Sequence, residues 1–295
     1  MEHVSFVILN YCSGDLTIQC ISSIRKNIGY SNYSIIVVDN GSPDNSGVML
    51  QQKYVDDENV LVLLVGDNIG FAKANNLGYQ YAKKNLNSDY IIITNSDTIF
   101  EQKDFIETVQ KKYNLKGFEI AGPDLITPKG THQNPHRKNP LTINQVRKML
   151  LIKSVFLIYF FIKKKLHIGD KILILEKWFD LKDKKTQENI SYKIEHEKVV
   201  LQGACLIFSP SFIAKEENAF YPGTFMYGEE DILTYLACKK NYRLFYSPDL
   251  KVYHLDGGAT KKSYENSLDK NIFTYSYIVE GCKILLKIMK KGEKK

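Results

Sequence analysis

The chain has few of the features that mark secreted, zinc-binding or dinucleotide-binding proteins. Its five cysteines are widely scattered and show no CxxC spacing, which argues against a disulfide framework and a zinc site. The apolar run at residues 4–9 is too short for a secretory signal and lacks a basic start. We therefore expect a cytoplasmic protein with reduced cysteines.

Two common phosphate-binding fingerprints are also absent. No GxGxxG follows the first predicted strand, and GxxxxGK[ST] does not occur. These glycine-rich turns place phosphates on backbone amides, so their absence removes the main support for a Rossmann-type or P-loop site. A nucleotide held by other groups remains compatible with the sequence.

The composition indicates a globular protein with an uneven charge distribution. The 295 residues are 44% hydrophobic and 12% aromatic, enough for a substantial core. The net charge is +7, and lysine clusters lie in the later part of the chain, at residues 163–165, 182–185, 261–262 and 287–295. This distribution favours an anionic surface as a neighbour.

Strand and helix patterns alternate through residue 122. Apolar, β-branched runs predict buried strands at residues 4–9, 33–38, 60–65 and 90–94. Helical spacing or helix-start signals follow them at residues 16–26, 66–76 and 103–112. This order predicts an α/β fold with a mostly parallel, doubly wound sheet, in which the carboxyl ends of the strands open on one rim.

Each of these strands ends in polar or glycine residues, which predicts a ligand site at the rim. Asp97 stands in the last of these ends, where a carboxylate can hold a hard divalent cation beside a diphosphate. The alternative is that residues 95–98 only cap the following helix. Asp39 ends the second strand, where it is either a ligand contact or part of a plain turn.

Seven segments follow one another along the chain in this order: VSFVILNY, IIVVDNGSPDNS, NIGFAKANNLGY, IIITNSDT, VVLQGACLIFS, FMYGEEDIL and VYHLDGGAT. Together they resemble the family 2 glycosyltransferases, in the branch that includes bacterial rhamnosyltransferases. The resemblance covers roughly residues 4–260 and is weakest between 140 and 198. It implies an A-type glycosyltransferase fold, a nucleotide-sugar donor, a divalent metal (Mg²⁺ or Mn²⁺) and inversion at the anomeric carbon.

The resemblance also assigns roles to individual residues. It implies that Asp97 binds the metal and that His254 supplies a second ligand, although a lone strand-end histidine is more often structural. Asn95 stands where the usual signature has a first acid, and a neutral amide is a weaker ligand for a hard cation. The expected donor-binding residues are Asn10, Tyr11, Asp39, Asn40, Asn68, Gly70, Phe71, Asn75, Asn95, Ser96, Gly203 and Ala204.

Three consecutive acids are candidates for the catalytic base. Glu229, Glu230 and Asp231 begin a predicted helix, and one carboxylate must take the proton of the acceptor hydroxyl. Acids at a helix start are also stabilised by its dipole, which is a structural explanation for at least one of them. We assign the base to Glu230, with Asp231 as the rival.

Two apolar segments suggest contact with a surface. Residues 149–162 are too few to span a bilayer, and their basic flanks fit either an interfacial helix or a buried helix or dimer contact. Residues 271–290 show one apolar helical face and one rich in lysine. We expect a helical insertion at 141–198 and a basic amphipathic C-terminal tail at 261–295, which would be a helical extension of the domain.

The sequence therefore predicts one catalytic domain, residues 1–260, with a nucleotide-binding half (1–122) and an acceptor-side half (199–260). The predicted reaction moves a hexose, rhamnose being one candidate, from a dTDP- or UDP-linked donor to a glycan or polyprenyl-linked acceptor. This reaction would serve bacterial surface polysaccharide synthesis at the inner face of the membrane, without nucleic acid and with a homodimer as an option. The alternatives are a non-catalytic nucleotide-sugar binder and a sugar nucleotidyltransferase, whose usual glycine-rich basic loop is absent.

Overall fold

A computed structural model describes residues 1–166, 190–255 and 267–293. Nine strands of the described residues form one sheet, whose order is β3-β2-β1-β4-β8-β6-β9-β5, with β7 pairing with β9. The strands are β1 Val4–Asn10, β2 Tyr33–Asn40, β3 Val60–Val65, β4 Tyr90–Asn95, β5 Thr98–Ile99, β6 Ile120–Ile126, β7 His196–Glu197, β8 Cys205–Phe208 and β9 Leu244–His254.

Helices cover both faces of this sheet and extend beyond it. In chain order they are α1 Gly14–Asn27, α2 Ser46–Lys53, α3 Phe71–Lys84, α4 Phe105–Lys116, α5 Ile143–Lys165, α6 Pro210–Lys215, α7 Glu229–Lys239 and α8 Ser267–Glu293. Alternate residues of β1 enter different cores: Phe6 and Ile8 pack with α1, whereas Val7 packs with α3. The sheet is therefore buried on two sides, as its continuous apolar strands predict.

The first half of the sheet is parallel and the second half is mixed. β3, β2, β1 and β4 pair in parallel, so the polar ends of these strands share one rim. β8 then runs antiparallel to both β4 and β6. This arrangement confirms the predicted α/β class with flanking helices, while the sheet is less uniformly parallel than predicted.

The apolar residues 199–208 of the sequence predict a single strand, and the first half of this prediction is wrong. Regular strand structure begins only at Cys205, and Val200 makes an isolated bridge to Arg137. Gly203 and Ala204 instead lie in a turn before β8. An apolar run cannot distinguish a strand from a buried turn whose backbone is held by side chains, and here Gln202 N donates to Asn134 Oδ1 at 2.8 Å.

Two helices at the end of the fold form an antiparallel pair. Lys164 near the end of α5 bonds Asp269 near the start of α8, and Phe160 packs on Tyr275 further along. Near the start of α5, Val146 shares an apolar cluster with Met289. The predicted helical extension is therefore present, while residues 167–189 of the predicted insertion and residues 261–266 and 294–295 of the predicted tail lie outside the described residues.

The residues predicted as an interfacial or buried segment, 149–162, lie inside α5. Its inner face is buried, with Phe156 and Phe160 against Tyr275 of α8. Its outer face exposes aliphatic side chains. No helix of the described residues has the length and apolarity needed to cross a bilayer.

Candidate active site

A buried carboxylate and a buried imidazole meet at the rim of the sheet. Nε2 of His254 lies 3.2 Å from Oδ1 of Asp97, and both side chains are almost fully inaccessible. The short β5–β9 ladder brings them together, because Thr98 is the partner of His254 in the register. Leu255 N also donates to the Asp97 carbonyl at 2.8 Å. The structure therefore places the two predicted metal ligands side by side.

Gln133 fixes the orientation of the histidine ring. Its Oε1 accepts from Nδ1 of His254 at 2.7 Å, so Nδ1 carries hydrogen and Nε2 is directed at Asp97. A histidine that ligates a metal commonly donates its other ring nitrogen to such an acceptor. The donor set of one carboxylate oxygen and one imidazole nitrogen suits Mn²⁺ and is compatible with Mg²⁺.

The described residues offer two protein ligands at this point. No cluster of three His, Cys, Asp or Glu side chains with metal-binding geometry occurs among them. Asn95, the predicted weak ligand, ends β4 and is partly exposed. The remaining coordination positions of a cation bound at Asp97 and His254 would therefore be filled by a ligand or by water.

The three acids at the start of α7 have different environments. Burial raises the pKa of Glu229 to about 7, with a further contribution from the neighbouring Glu230 carboxylate. Oε1 of Glu229 is buried and has no hydrogen-bond partner among the described residues. Asp231 accepts an ion-paired hydrogen bond from Arg137.

Glu230 lies against a glycine at the edge of the site. Its Oε1 accepts from Gly203 N at 3.3 Å, and a Cβ at position 203 would lie 2.8 Å from that oxygen. Any residue other than glycine at position 203 would therefore displace the Glu230 carboxylate. Burial raises the pKa of Glu230, and the Asp231 carboxylate adds to the rise. A raised pKa suits a group that exchanges a proton near neutral pH.

One turn connects the base candidate to the metal pair. Gly203 N contacts Glu230, and the next residue, Ala204, accepts from Asn95 N at 2.9 Å. Asn95 precedes Asp97 by two residues. The turn at 203–204, predicted to lie against the donor sugar, thus borders both groups.

Asp39 is held at its strand end by a buried polar network. Its Oδ1 accepts from Asn10 Nδ2 at 2.6 Å and from Ser42 Oγ at 2.5 Å, and its Oδ2 accepts from Ser42 N at 3.1 Å. Asn10 has no exposed surface, and its Oδ1 accepts from two hydroxyls. Asn10 therefore positions Asp39 instead of lining a pocket, whereas Tyr11 next to it is partly exposed.

The turn before α3 contains Asn68, Gly70 and Phe71, which are predicted to bind the donor, and its backbone amides would be expected to face the diphosphate. Ile69 N donates to Asn40 Oδ1, and Gly70 N donates to Asn68 Oδ1, both at 3.0 Å. Phe71 N donates to the Phe225 carbonyl at 2.7 Å. These amides are satisfied by protein acceptors, so the turn anchors the segment around Phe225 and is not an open anion site.

Two further predicted contacts have distinct surroundings. Ser96 is buried, and its hydroxyl lies 3.0 Å from that of Ser13. Asn75 is buried on α3, where its amide nitrogen donates to the Phe71 carbonyl. Its Oδ1 has no hydrogen-bond partner among the described residues, which is unusual for a buried acceptor.

Comparison with known protein families identifies the family to which this chain belongs. Residues 5–200 match the sequence profile of glycosyl transferase family 2. The chain belongs to glycosyl transferase family 2.

Two proteins of Streptococcus pneumoniae serotype 4 resemble this family 2 chain over part of its length. Glycosyltransferase GlyG is 34% identical over 120 residues, which are 41% of this chain and 38% of GlyG. Glycosyltransferase GlyA is 33% identical over 94 residues, which are 32% of this chain and 12% of GlyA. The chain thus aligns with well under half of either relative.

Solved structures of Staphylococcus aureus TarS share the fold. TarS 1–349 superposes with a TM-score of 0.52 at 14% identity, over 86% of this chain and 60% of TarS 1–349. Its complex with UDP-GlcNAc superposes with a TM-score of 0.53 at 13% identity, over 94% of this chain and 65% of that one. The likeness confirms the predicted A-type glycosyltransferase fold.

Within this family 2 site, one loop carries residues whose contacts the sequence did not reveal. Gln133 contacts His254, and Arg137 contacts Asp231. His136 lies near enough to Glu230 to oppose the rise in its pKa. From the sequence, the prolines at residues 123–140 predict an irregular loop, of which residues 123–126 in fact belong to β6, and Arg137 is a candidate for acceptor or diphosphate contact. Its guanidinium instead pairs with a carboxylate of the protein.

Proposed function

We propose that this protein is an inverting, metal-dependent glycosyltransferase. It moves a hexose from a nucleoside diphosphate sugar to a glycan or polyprenyl-linked acceptor in the synthesis of a bacterial surface polysaccharide. Membership of family 2 supports glycosyl transfer as the reaction class. The main structural support is the 203–204 turn, which contacts Glu230 on one side and the end of β4, two residues before Asp97, on the other.

Asp97 and His254 are the residues that would hold the cation. A bound Mn²⁺ or Mg²⁺ supplies positive charge that stabilises a departing diphosphate. Asp97 supplies the carboxylate, and Gln133 holds His254 with Nε2 directed toward it. The imidazole nitrogen favours Mn²⁺ over Mg²⁺, since Mg²⁺ prefers oxygen ligands.

Glu230 is the proposed general base. Inversion by direct displacement requires the acceptor hydroxyl to attack from the face opposite the leaving nucleotide, and its proton must go to a carboxylate within hydrogen-bond reach. Glu230 Oε1 already lies at the Gly203 amide, beside the turn assigned to the donor sugar. Asp231 pairs with Arg137 and is therefore less suited to accept the proton.

The proposed donor is a uridine or thymidine diphosphate hexose, with rhamnose as one candidate sugar. Asp39, fixed by Asn10 and Ser42, is the group assigned to the nucleotide. TarS has been crystallised with UDP-GlcNAc and with UDP, and this supports a uridine nucleotide as the first ligand to test.

A panel of nucleotide sugars screened by thermal shift, with and without Mn²⁺, tests the donor. Ligands that bind the native state alone raise its melting temperature. Turnover of the best donor is then followed by its products. Glycosyl transfer or donor hydrolysis releases a nucleoside diphosphate, whereas a sugar nucleotidyltransferase leaves the donor intact until pyrophosphate is added and then releases nucleoside triphosphate and sugar 1-phosphate. Tight binding without turnover, even with a lipid-linked acceptor present, would identify a nucleotide-sugar binder instead.

A further inference from the structure

The outer face of α5 carries a stripe of exposed aliphatic residues. Four of them recur at helical spacing on one face: Leu151, Val155, Ile158 and Ile162. Leu151 is 68% exposed and Ile158 is 58% exposed, although the opposite face of the same helix is packed on α8. Contiguous exposed apolar residues of this kind mark a surface that contacts another protein or a membrane.

The net charge of the antiparallel helix pair, α5 and α8, indicates which kind of partner would bind the stripe. α5 contains six basic and no acidic residues, and α8 contains five basic and three acidic residues. The pair thus has a net charge of +8, whereas the whole chain has +7, so the remainder is close to neutral. The net positive charge of the protein is thus concentrated on the helix pair, and α5 of this pair carries the apolar stripe.

A second copy of the chain fits this surface poorly. A two-fold dimer through α5 would place the same basic helix pair on both sides of the contact, and like charges would oppose association. An anionic lipid surface matches both properties, because the aliphatic side chains enter the acyl boundary while lysines remain at the headgroups. Exposed lysines flank the stripe, Lys148 three residues before Leu151 and Lys165 three residues after Ile162.

The helix pair also contacts the active-site edge. Tyr277 of α8 stacks on Phe225 with ring centroids 4.6 Å apart. Gly281 of α8 lies so close that a Cβ there would be 2.5 Å from the Tyr227 carbonyl oxygen. Phe225 and Tyr227 immediately precede the acids of α7. The helix pair therefore packs directly on the segment that precedes Glu230, so a surface bound to α5 lies against an element of the active-site edge.

We infer that the outer face of α5 docks on an anionic membrane surface. The docked helix lies in the interface and does not cross the bilayer. This inference bears on the lipid-linked class of acceptor and in that respect rests on the proposed function. Docking needs no substrate, however, so its failure and the failure of glycosyl transfer can be observed separately.

Vesicle flotation of the full chain tests the inference. We expect the protein to float with vesicles containing about 30% phosphatidylglycerol in phosphatidylcholine and not with phosphatidylcholine alone. Raising sodium chloride from about 0.1 M to about 0.5 M should reduce the bound fraction, since salt screens the lysines. The double variant Leu151→Glu/Ile158→Glu should lower binding roughly tenfold or more, because it places carboxylates in the acyl boundary.

Leu115→Glu is the matched control for this variant. Leu115 lies on α4 and is 68% exposed, the same fraction as Leu151, but the buried face of α4 packs in a different apolar cluster from that of α5. It should float as the wild type does. Thermal melting checks that each variant is folded, and Leu151→Ser/Ile158→Ser repeats the test without added charge if the glutamates prevent folding.

Two outcomes would overturn the inference. One is wild-type protein that stays unbound in anionic vesicles, or a double variant that floats as well as the wild type. The other is a stable dimer, measured by light scattering, that the double variant dissociates while flotation is unaffected. The second result would assign the stripe to a second copy of the chain.

Discussion

The guanidinium of Arg137 donates to a carboxylate oxygen of Asp231, the residue next to Glu230. This pair distinguishes two acids that are adjacent in sequence. Asp231 has a cation within hydrogen-bond distance, whereas Glu230 accepts from the Gly203 amide and has a raised pKa because of burial and the Asp231 charge. A carboxylate whose charge is paired with a cation is a weaker base. The Arg137–Asp231 ion pair therefore supports Glu230 as the base.

Glu230→Gln should therefore retain donor binding and lose transfer. Removal of a general base typically lowers the rate by about 10²- to 10⁴-fold. Asp231→Asn should lower it much less, since its charge is already balanced by Arg137. Release of nucleoside diphosphate from the best donor measures the rate, and calorimetry measures donor affinity. Wild-type turnover in Glu230→Gln would transfer the role to Asp231.

Arg137→Gln should change the pH dependence of the reaction. Without the guanidinium, the Asp231 charge is uncompensated beside Glu230, and like-charge repulsion raises the pKa of Glu230 further. The base is active only when ionised, so the acid limb of kcat/KM should move to higher pH by about half a unit or more. Lys138→Gln, one residue further along the loop, is the control. An unshifted acid limb would show that Asp231 does not influence the base.

The sequence predicted the regular part of the fold well, because local patterns there agree with the packing. The run at residues 60–65 forms β3 with the predicted bounds, and α1 includes the predicted 16–26. Strands buried on two faces are apolar throughout, and this signal is local. At the 203–204 turn the local signal failed, since the backbone there is held by side chains distant in sequence: Gln202 N donates to Asn134, 68 residues away, and Gly203 N donates to Glu230, 27 residues away.

Some site residues could be predicted from the sequence, whereas others are defined by contacts with residues distant along the chain. The sequence and the family resemblance indicated Asp97 and His254, which the structure brings within 3.2 Å. They gave no indication of Gln133, because its single contact to His254 spans 121 residues and no spacing encodes it. Asn10 was expected to bind the donor, but its buried amide holds Asp39.

Asp97→Ala should abolish the metal-dependent part of nucleotide binding. The variant removes the carboxylate of the proposed cation pair, and a lone imidazole is a poor site for a hard cation. Calorimetric titration of UDP with and without Mn²⁺ measures the metal-dependent part. Glu101→Ala, an exposed acid four residues away, is the matched control. Unchanged Mn²⁺ dependence in Asp97→Ala would place the metal elsewhere.

Gln133→Leu should weaken the metal site without removing a ligand. The leucine cannot accept from Nδ1 of His254, so the ring loses the hydrogen bond that directs Nε2 toward Asp97. Loss of such a supporting contact typically reduces metal affinity about 10- to 100-fold. Mn²⁺ binding measured by electron paramagnetic resonance reports this directly, without turnover. Lys129→Leu, an exposed residue in the same loop, is the control, and equal Mn²⁺ affinity in both variants would contradict the role of Gln133.

Glu229→Gln should make the protein more stable at alkaline pH. Burial raises the pKa of Glu229 from 4.5 to about 7, so between these values the folded state holds a proton that the unfolded state has lost. The contribution of this proton to the free energy of unfolding is therefore fully present below about pH 4.5. It declines as pH rises and is lost above about pH 7. The shift corresponds to about 3 kcal/mol.

The neutral amide removes this penalty because it has no charge to bury. We expect urea midpoints of wild type and Glu229→Gln to be similar near pH 5 and to separate in favour of the variant near pH 8. Glu107→Gln, an exposed acid in the first turn of α4, provides the matched control and should show no such divergence. Parallel pH profiles for wild type and Glu229→Gln would mean that Glu229 is ionised in the folded protein at neutral pH, and that its buried Oε1 acquires a partner when the charge forms.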